Sequence, residues 1–183
     1  MKVLLRLVSV LLVLIPAGWA QSRPATHRSM LRQDTVIQGY PCAKGYAWFY
    51  ADGRLERCSV SRETVFGEAK IPALSIIVLL PEGGPKYAML NSDTVIAGSN
   101  CRGGGLLGPG EGAMTTFYPS GKLKQCWLAG DQIVQGVPCR SGGLLGDGMG
   151  EGVKLYESGR LNSCKLSQEF ASQHRGDRFI QAP

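Results

Sequence analysis

The chain has 183 residues, 44% of them hydrophobic, and a formal net charge of +6. That length and apolar content suit one domain with a core. Its lysines and arginines are scattered without a basic run, so the charge speaks for solubility and against a nucleic-acid partner.

The first twenty residues, MKVLLRLVSVLLVLIPAGWA, open with Lys2 and Arg6, continue as an apolar run and close on Gly18 and Ala20. A positive start, an apolar core and small residues at the minus-three and minus-one places make a secretory signal peptide. Pro16 and Gly18 break the run short of a membrane span. Cleavage after Ala20 removes two cations and lowers the net charge from +6 to +4. The expected location is secreted or periplasmic, with no membrane span after cleavage. Residues 21–33, QSRPATHRSMLRQ, lack apolar periodicity and are expected to form a flexible leader.

Four segments then open alike: DTVIQG at 34, ETVFG at 63, DTVIAG at 93 and DQIVQG at 131. Each is followed by a turn-like hexapeptide, YADGRL at 50, LPEGGP at 80, YPSGKL at 118 and YESGRL at 156. The period is about 30 residues in the first two copies and 38 in the last two, which divides residues 34–168 into 34–62, 63–92, 93–130 and 131–168. Residues 169–183 form a tail or a partial fifth copy.

The hexapeptides have the chemistry of hairpin turns. In YPSGKL, Pro119 presets the first corner of a type I turn, Ser120 tolerates the second, and Gly121 takes the left-handed conformation of a G1 bulge. Short β-prone runs flank the turns: AWFY before RLERCSV, TTFY before KLKQCWL, VKLY before RLNSCKL. No stretch after residue 20 sustains a helical apolar period. The expected fold is all-β, an elongated meander of β-hairpin repeats in which each copy supplies one hairpin and one short TVIxG strand, and neighbours bury what a single copy cannot.

An aromatic-x-x-Gly-Lys/Arg-Leu tract between two short strands, present here as YADGRL, YPSGKL and YESGRL with LPEGGP as a degenerate copy, resembles the MORN-variant repeats of bacterial YwqK-type antitoxin proteins. The resemblance covers most of residues 34–168. It implies a repetitive β-hairpin scaffold for protein interaction or envelope association, without enzymatic activity. To that pattern this chain adds a signal peptide, paired cysteines and glycine-rich inserts.

Six cysteines in an exported chain point to disulfides, for which about 15 pairings exist. Copies one, three and four each carry one cysteine after the opening strand (Cys42, Cys101, Cys139) and one in the last strand (Cys58, Cys126, Cys164). Copy two lacks both, with Ile71 or Pro72 at the first place and Ala88 at the second. Bridges between copies would have stranded partners when copy two lost its pair, so the expected bridges are Cys42 to Cys58, Cys101 to Cys126 and Cys139 to Cys164. Each closes a loop of about 15 to 25 residues and stabilises by roughly 3 kcal/mol in the chain-entropy model. No C-x-x-C pair exists and only His27 and His174 could add nitrogen ligands, so neither zinc nor another metal is expected.

Hairpin geometry sorts the side chains onto two faces. Phe49 with Leu55, Phe117 with Leu123 and Leu155 with Leu161 form an apolar pair repeated on the core face. The other face carries Tyr50 with Arg54, Tyr118 with Lys122 and Tyr156 with Arg160, a candidate surface for an acidic protein or an anionic envelope polymer. The alternative is that each tyrosine packs on its neighbour while the charge stays in water.

Catalysis has little to draw on. His27 lies in the leader and His174 in the tail, so no base stands beside a nucleophile. Glu63, Asp93 and Asp131 recur at repeat openings, where a carboxylate satisfies turn amides. Arg175-Gly176-Asp177 matches an integrin-binding tripeptide, a match frequent by chance. No enzyme activity and no cofactor is expected.

CRGGGLLGPGEG at 101 matches G-x-G-x-x-G, but it precedes a hairpin rather than a helix, and its copy CRSGGLLGDGMGEG has Ser141 at the first glycine. A pyrophosphate site needs a helix amino end there. The inserts, Gly103 to Gly112 and Ser141 to Gly152, are expected as loops on one edge of adjacent repeats, with Leu106, Leu107, Leu144 and Leu145 at their tips as a second candidate contact. The function expected is a non-enzymatic exported binding module for a protein or envelope polymer; the alternative is an extracytoplasmic immunity or inhibitor protein acting on a secreted toxin or hydrolase.

Overall fold

A computed structural model describes residues 26–104, 114–141 and 152–167. All of the regular structure in them is β. The signal peptide, the leucines at the insert tips, His174 and the Arg-Gly-Asp tripeptide lie outside the described residues.

Each copy folds as two hairpins. The longer ones are β4 (Gly45–Tyr50) with β5 (Leu55–Ser59), β8 (Ile76–Leu79) with β9 (Pro85–Met89), β12 (Met114–Phe117) with β13 (Leu123–Cys126), and β16 (Val153–Leu155) with β17 (Leu161–Ser163). Together with β1 (Thr26–Leu31) they form one nine-stranded antiparallel sheet in the order β1-β4-β5-β8-β9-β12-β13-β16-β17. At about 4.8 Å per strand gap this sheet is roughly 38 Å wide. The turns close as their residues dictate: Gly53, Gly83, Gly121 and Gly159 hold φ between 82° and 95°, and in three copies the tyrosine N–H donates to the residue four places on. A register shift follows each turn, so Phe49 faces Leu55, Phe117 faces Leu123 and Leu155 faces Leu161.

The TVIxG segments are more than single strands. Each pairs with the three residues after its turn: β2 (Thr35–Ile37) with β3 (Tyr40–Cys42), β6 (Thr64–Phe66) with β7 (Ala69–Ile71), β10 (Thr94–Ile96) with β11 (Ser99–Cys101), and β14 (Gln132–Val134) with β15 (Val137–Cys139). Gln38-Gly39, Ala97-Gly98 and Gln135-Gly136 have positive φ at both positions, the two-residue type I′ geometry that matches strand twist. In copy two the positive φ is at Gly67 alone. These small hairpins cover one face of the long sheet. Ile37, Phe66, Ile96 and Val134 point inward from them and meet Ala47, Leu55, Ile77, Leu79, Phe117 and Leu155 from the sheet in a single continuous core. Phe66 sets its ring edge against Phe117 with centroids 5.3 Å apart.

The disulfides join the two layers. Cys42 is bonded to Cys58, Cys101 to Cys126 and Cys139 to Cys164, so every bridge ties the second strand of a small hairpin to the last strand of its own copy or, for Cys164, to the residue just past it. Ile71 and Ala88 occupy the equivalent places in copy two, both fully buried. Two turns cross in close contact: a Cβ on Gly67 would run into the backbone of Gly121, and the Glu68 N–H donates to Gly121 O at 3.0 Å.

Six residues expected to belong to a flexible leader form a strand. Thr26–Leu31 pairs with the full span of β4, from Thr26 opposite Tyr50 to Leu31 opposite Gly45. Apolar burial is not what orders it, since five of its six residues are exposed. The hydrogen-bonding groups on the outer edge of β4 are satisfied by its backbone, a force that hydrophobic periodicity does not register. His27 stacks on Phe49 with ring centroids 5.5 Å apart.

Candidate functional site

The face of the sheet opposite the small hairpins has no second layer among the described residues. Strand pairing sets one row across it: Arg28 beside Trp48, Trp48 beside Arg57, Arg57 beside Val78, Val78 beside Tyr87, then Thr116, Gln125, Lys154 and Ser163. Met30 and Tyr46 pair in a neighbouring row, both largely exposed. The Arg57 guanidinium carbon lies 3.9 Å from the Trp48 ring centroid and that of Arg28 lies 4.2 Å from Tyr46. Lys86 approaches Tyr87 at 6.0 Å and Lys124 approaches Tyr118 at 5.6 Å. Arg28, Arg57 and Lys154 thus stand in or beside this row and Lys86 and Lys124 beside its rings, while the carboxylates of Glu56 and Glu82 lie near Tyr50.

The face owes its composition to the period of two. In GYAWFY, Tyr46, Trp48 and Tyr50 project to one side while Ala47 and Phe49 project to the core. A guanidinium laid flat on an aromatic ring keeps its donors in one plane, so it loses little freedom when a planar oxyanion binds. The Arg57 Nε is buried against its surroundings with no hydrogen-bond partner.

The tyrosine and cation pairs expected to make the partner surface are divided by the structure. Tyr50 is buried, and its hydroxyl donates to Leu79 O of the next copy at 2.7 Å. Burial, with Glu56 and Glu82 nearby, pushes the Tyr50 phenol above its ordinary range. Tyr118 likewise donates to Leu155 O at 2.9 Å. Both tie one hairpin to its neighbour; Tyr50 is buried there and so is not open to a partner, while Tyr118 stays half-buried. Tyr156 is 53% exposed. Arg54 turns back to Asp52 at 2.6 Å, and its hydrogen bond holds the Asp52 carboxyl below the usual range. Lys122 places its carbonyl on the Tyr118 N–H, while the ammonium near the Tyr118 ring is that of Lys124. Arg160 gives its carbonyl to the Tyr156 N–H.

Sequence reasoning missed Arg28, Tyr46, Trp48, Arg57 and Tyr87. The alternation of GYAWFY was the available signal for two of them; Arg28 was hidden by treating the leader as unstructured.

Three of the four repeat-opening carboxylates, all but Glu63, act on backbone. Asp34 accepts from the Lys44 N–H, Asp93 from the Gly103 N–H and Asp131 from the Ser141 N–H, in each case ten residues on, at 2.7 to 2.9 Å. The Ser141 backbone and hydroxyl bonds hold the Asp131 carboxyl below the usual range. Among the described residues no group of three or more His, Cys, Asp or Glu could hold a metal ion, and no helix is long and apolar enough to cross a membrane. The three disulfides are compatible with an oxidising, extracytoplasmic setting. No family model, curated protein or solved structure matches this chain, and the case for its function rests on these residues.

Proposed function

We propose that the protein is an exported, non-enzymatic β-repeat binding module, secreted or periplasmic, whose open sheet face takes an anionic envelope polymer. The observation that carries this reading is the stacked pair Arg28 on Tyr46 and Arg57 on Trp48, with Lys154 further along the same row and Lys86 and Lys124 beside Tyr87 and Tyr118. An extended polyanion laid across the strands would meet these cations in turn, and its sugar or backbone faces would find exposed aromatic surface between them. Such binding is electrostatic at the surface and weakens as salt screens it. The test is binding of labelled polygalacturonate and of neutral dextran to the oxidised protein and to an R28Q/R57Q variant with an unchanged melting temperature. Salt-sensitive binding of the acidic polymer alone, weakened about tenfold or more in the variant, is expected. Equal binding of dextran, or an unaffected variant, would reject the reading.

The resemblance of YADGRL, YPSGKL and YESGRL to MORN-variant repeats favours a second reading, an immunity or inhibitor protein that sets the same face against an acidic toxin or hydrolase. Capture of one exported enzyme at equal stoichiometry, competed by neither polymer, would put that reading first.

A further inference from the structure

On the outer side of the small-hairpin layer, the middle residue of the first strand is aliphatic in all four copies: Val36, Val65, Val95 and Ile133. These four are 62% to 71% exposed. The next residue of each strand turns inward to the core, so the four contribute nothing to its packing. Strand propensity does not demand them either, because threonine serves a strand equally well and stands next door as Thr35, Thr64 and Thr94. Copy two has lost both cysteines and its turn tyrosine, yet it keeps Val65. The four side chains make a stripe, since each copy adds two strands to the sheet and the hairpins follow one another at about 10 Å. Together they expose roughly 400 Å² of aliphatic surface, as large as the biggest patch an ordinary monomer leaves in water.

The surroundings of the stripe say what covers it. Across from the four stand Pro41, Lys70, Asn100 and Pro138, one cation among them. Asp34, Glu63, Asp93 and Asp131 stand before the four strands as carboxylates, three of them on backbone amides, and Lys44, Lys70, Arg102 and Arg140 on or just past the return strands match them four for four. The stripe is therefore close to neutral on a chain with net positive charge, whereas the open face is cationic. Two copies approaching by their open faces would repel; approaching by their stripes they do not.

We infer that the stripe is the contact between two copies of this chain, hairpin layer against hairpin layer about a two-fold axis. A second copy is the partner whose apolar residues recur at the same spacing, so an isologous pairing sets aliphatic against aliphatic at every repeat. The two stripes contribute about 800 Å² between them, below the 1,200 Å² or more of a stable interface, so the dimer dissociates on dilution. Its two open faces point away from each other, which makes the assembly bivalent.

The experiment is sedimentation velocity of the oxidised full chain over a dilution series, beside a V36T/V65T/V95T/I133T variant that keeps branched strand-forming side chains. The wild type is expected to approach twice the monomer mass at the concentrated end, and the variant to dissociate at concentrations about tenfold higher or more, with circular dichroism unchanged. A single V95K variant, placing like charges in the contact at an exposed position, is expected to weaken the dimer as well and serves if the fourfold variant does not fold. A wild type that stays monomeric throughout, or variants that pair as well as it does, would overturn the inference. So would a wild type that co-sediments with phosphatidylcholine vesicles through the same residues, which would give the stripe to a lipid surface.

Discussion

Tyr118 shows how one side chain decides whether repeats behave as neighbours or as a unit. Its hydroxyl donates to Leu155 O, 37 residues away, and Tyr50 reaches Leu79 O in the same manner. Leu80 stands at this place in copy two, so that junction is held by packing and strand pairing instead. Tyr118→Phe removes the donor and is expected to cost about 1 kcal/mol in urea denaturation. The same change at the exposed Tyr156 should stay within about 0.5 kcal/mol. Equal losses at the two sites would show that the bond across the boundary carries no weight. The pairing of Phe117 with Leu123, and hence the face on which Tyr118 sits, was legible from the G1-bulge turn alone. Its acceptor was not, because the closeness of Tyr118 to Leu155 arises from sheet order rather than from any local spacing. Arg28 was illegible for a related reason: what holds β1 is an unfilled strand edge, and residues 21–33 carry no pattern that announces it.

At the scale of elements, the small hairpins depend on their carboxylate clamps. Asp131 receives both the N–H and the hydroxyl of Ser141, which favours its charged form. Its folded pKa lies below the unfolded one, so the contribution is complete above the ordinary aspartate range near pH 4 and fades as the pH falls through the depressed value. Melting temperatures of wild type and Asp131→Asn are therefore expected to differ at neutral pH and to converge in acid. The gap should be small for a group so near the surface, and a constant offset at every pH would refute the linkage. The acidic opening of each copy was visible as a repeated letter, and Asp93 and Asp131 satisfy backbone amides as expected, as does Asp34, whereas no such bond is seen at Glu63 among the described residues. The second half of each hairpin was harder to see. YPC, SNC and VPC share little beyond their closing cysteine, which AKI lacks, and only the Gln-Gly or Ala-Gly turn before three of them points to a return strand.

For the whole molecule, stability accumulates from nearest neighbours, as in other repeat proteins. Opening the last bridge with C139S/C164S is expected to cost about 3 kcal/mol. The loss should fall on residues 131–167, where hydrogen exchange accelerates, while β1, β4 and β5 keep their protection. Uniform acceleration along the chain would show that the sheet melts as one cooperative block. Copy two gives the internal comparison, because Ile71 and Ala88 fill the bridge position with buried apolar side chains and the sheet continues through it.

The order of the bridges has a consequence for how the chain is made. Along the sequence each cysteine is joined to the next one, 42 to 58, 101 to 126 and 139 to 164, and no loop encloses another. A chain that reaches an oxidising compartment amino end first, and is oxidised as it arrives, therefore meets every correct partner before any wrong one. Strand pairing follows the same arrow, since within the sheet each newly arrived strand adds to the edge left by the one before it. Such a protein can finish one repeat while the rest is still in transit, and it needs no isomerase to sort its sulfurs.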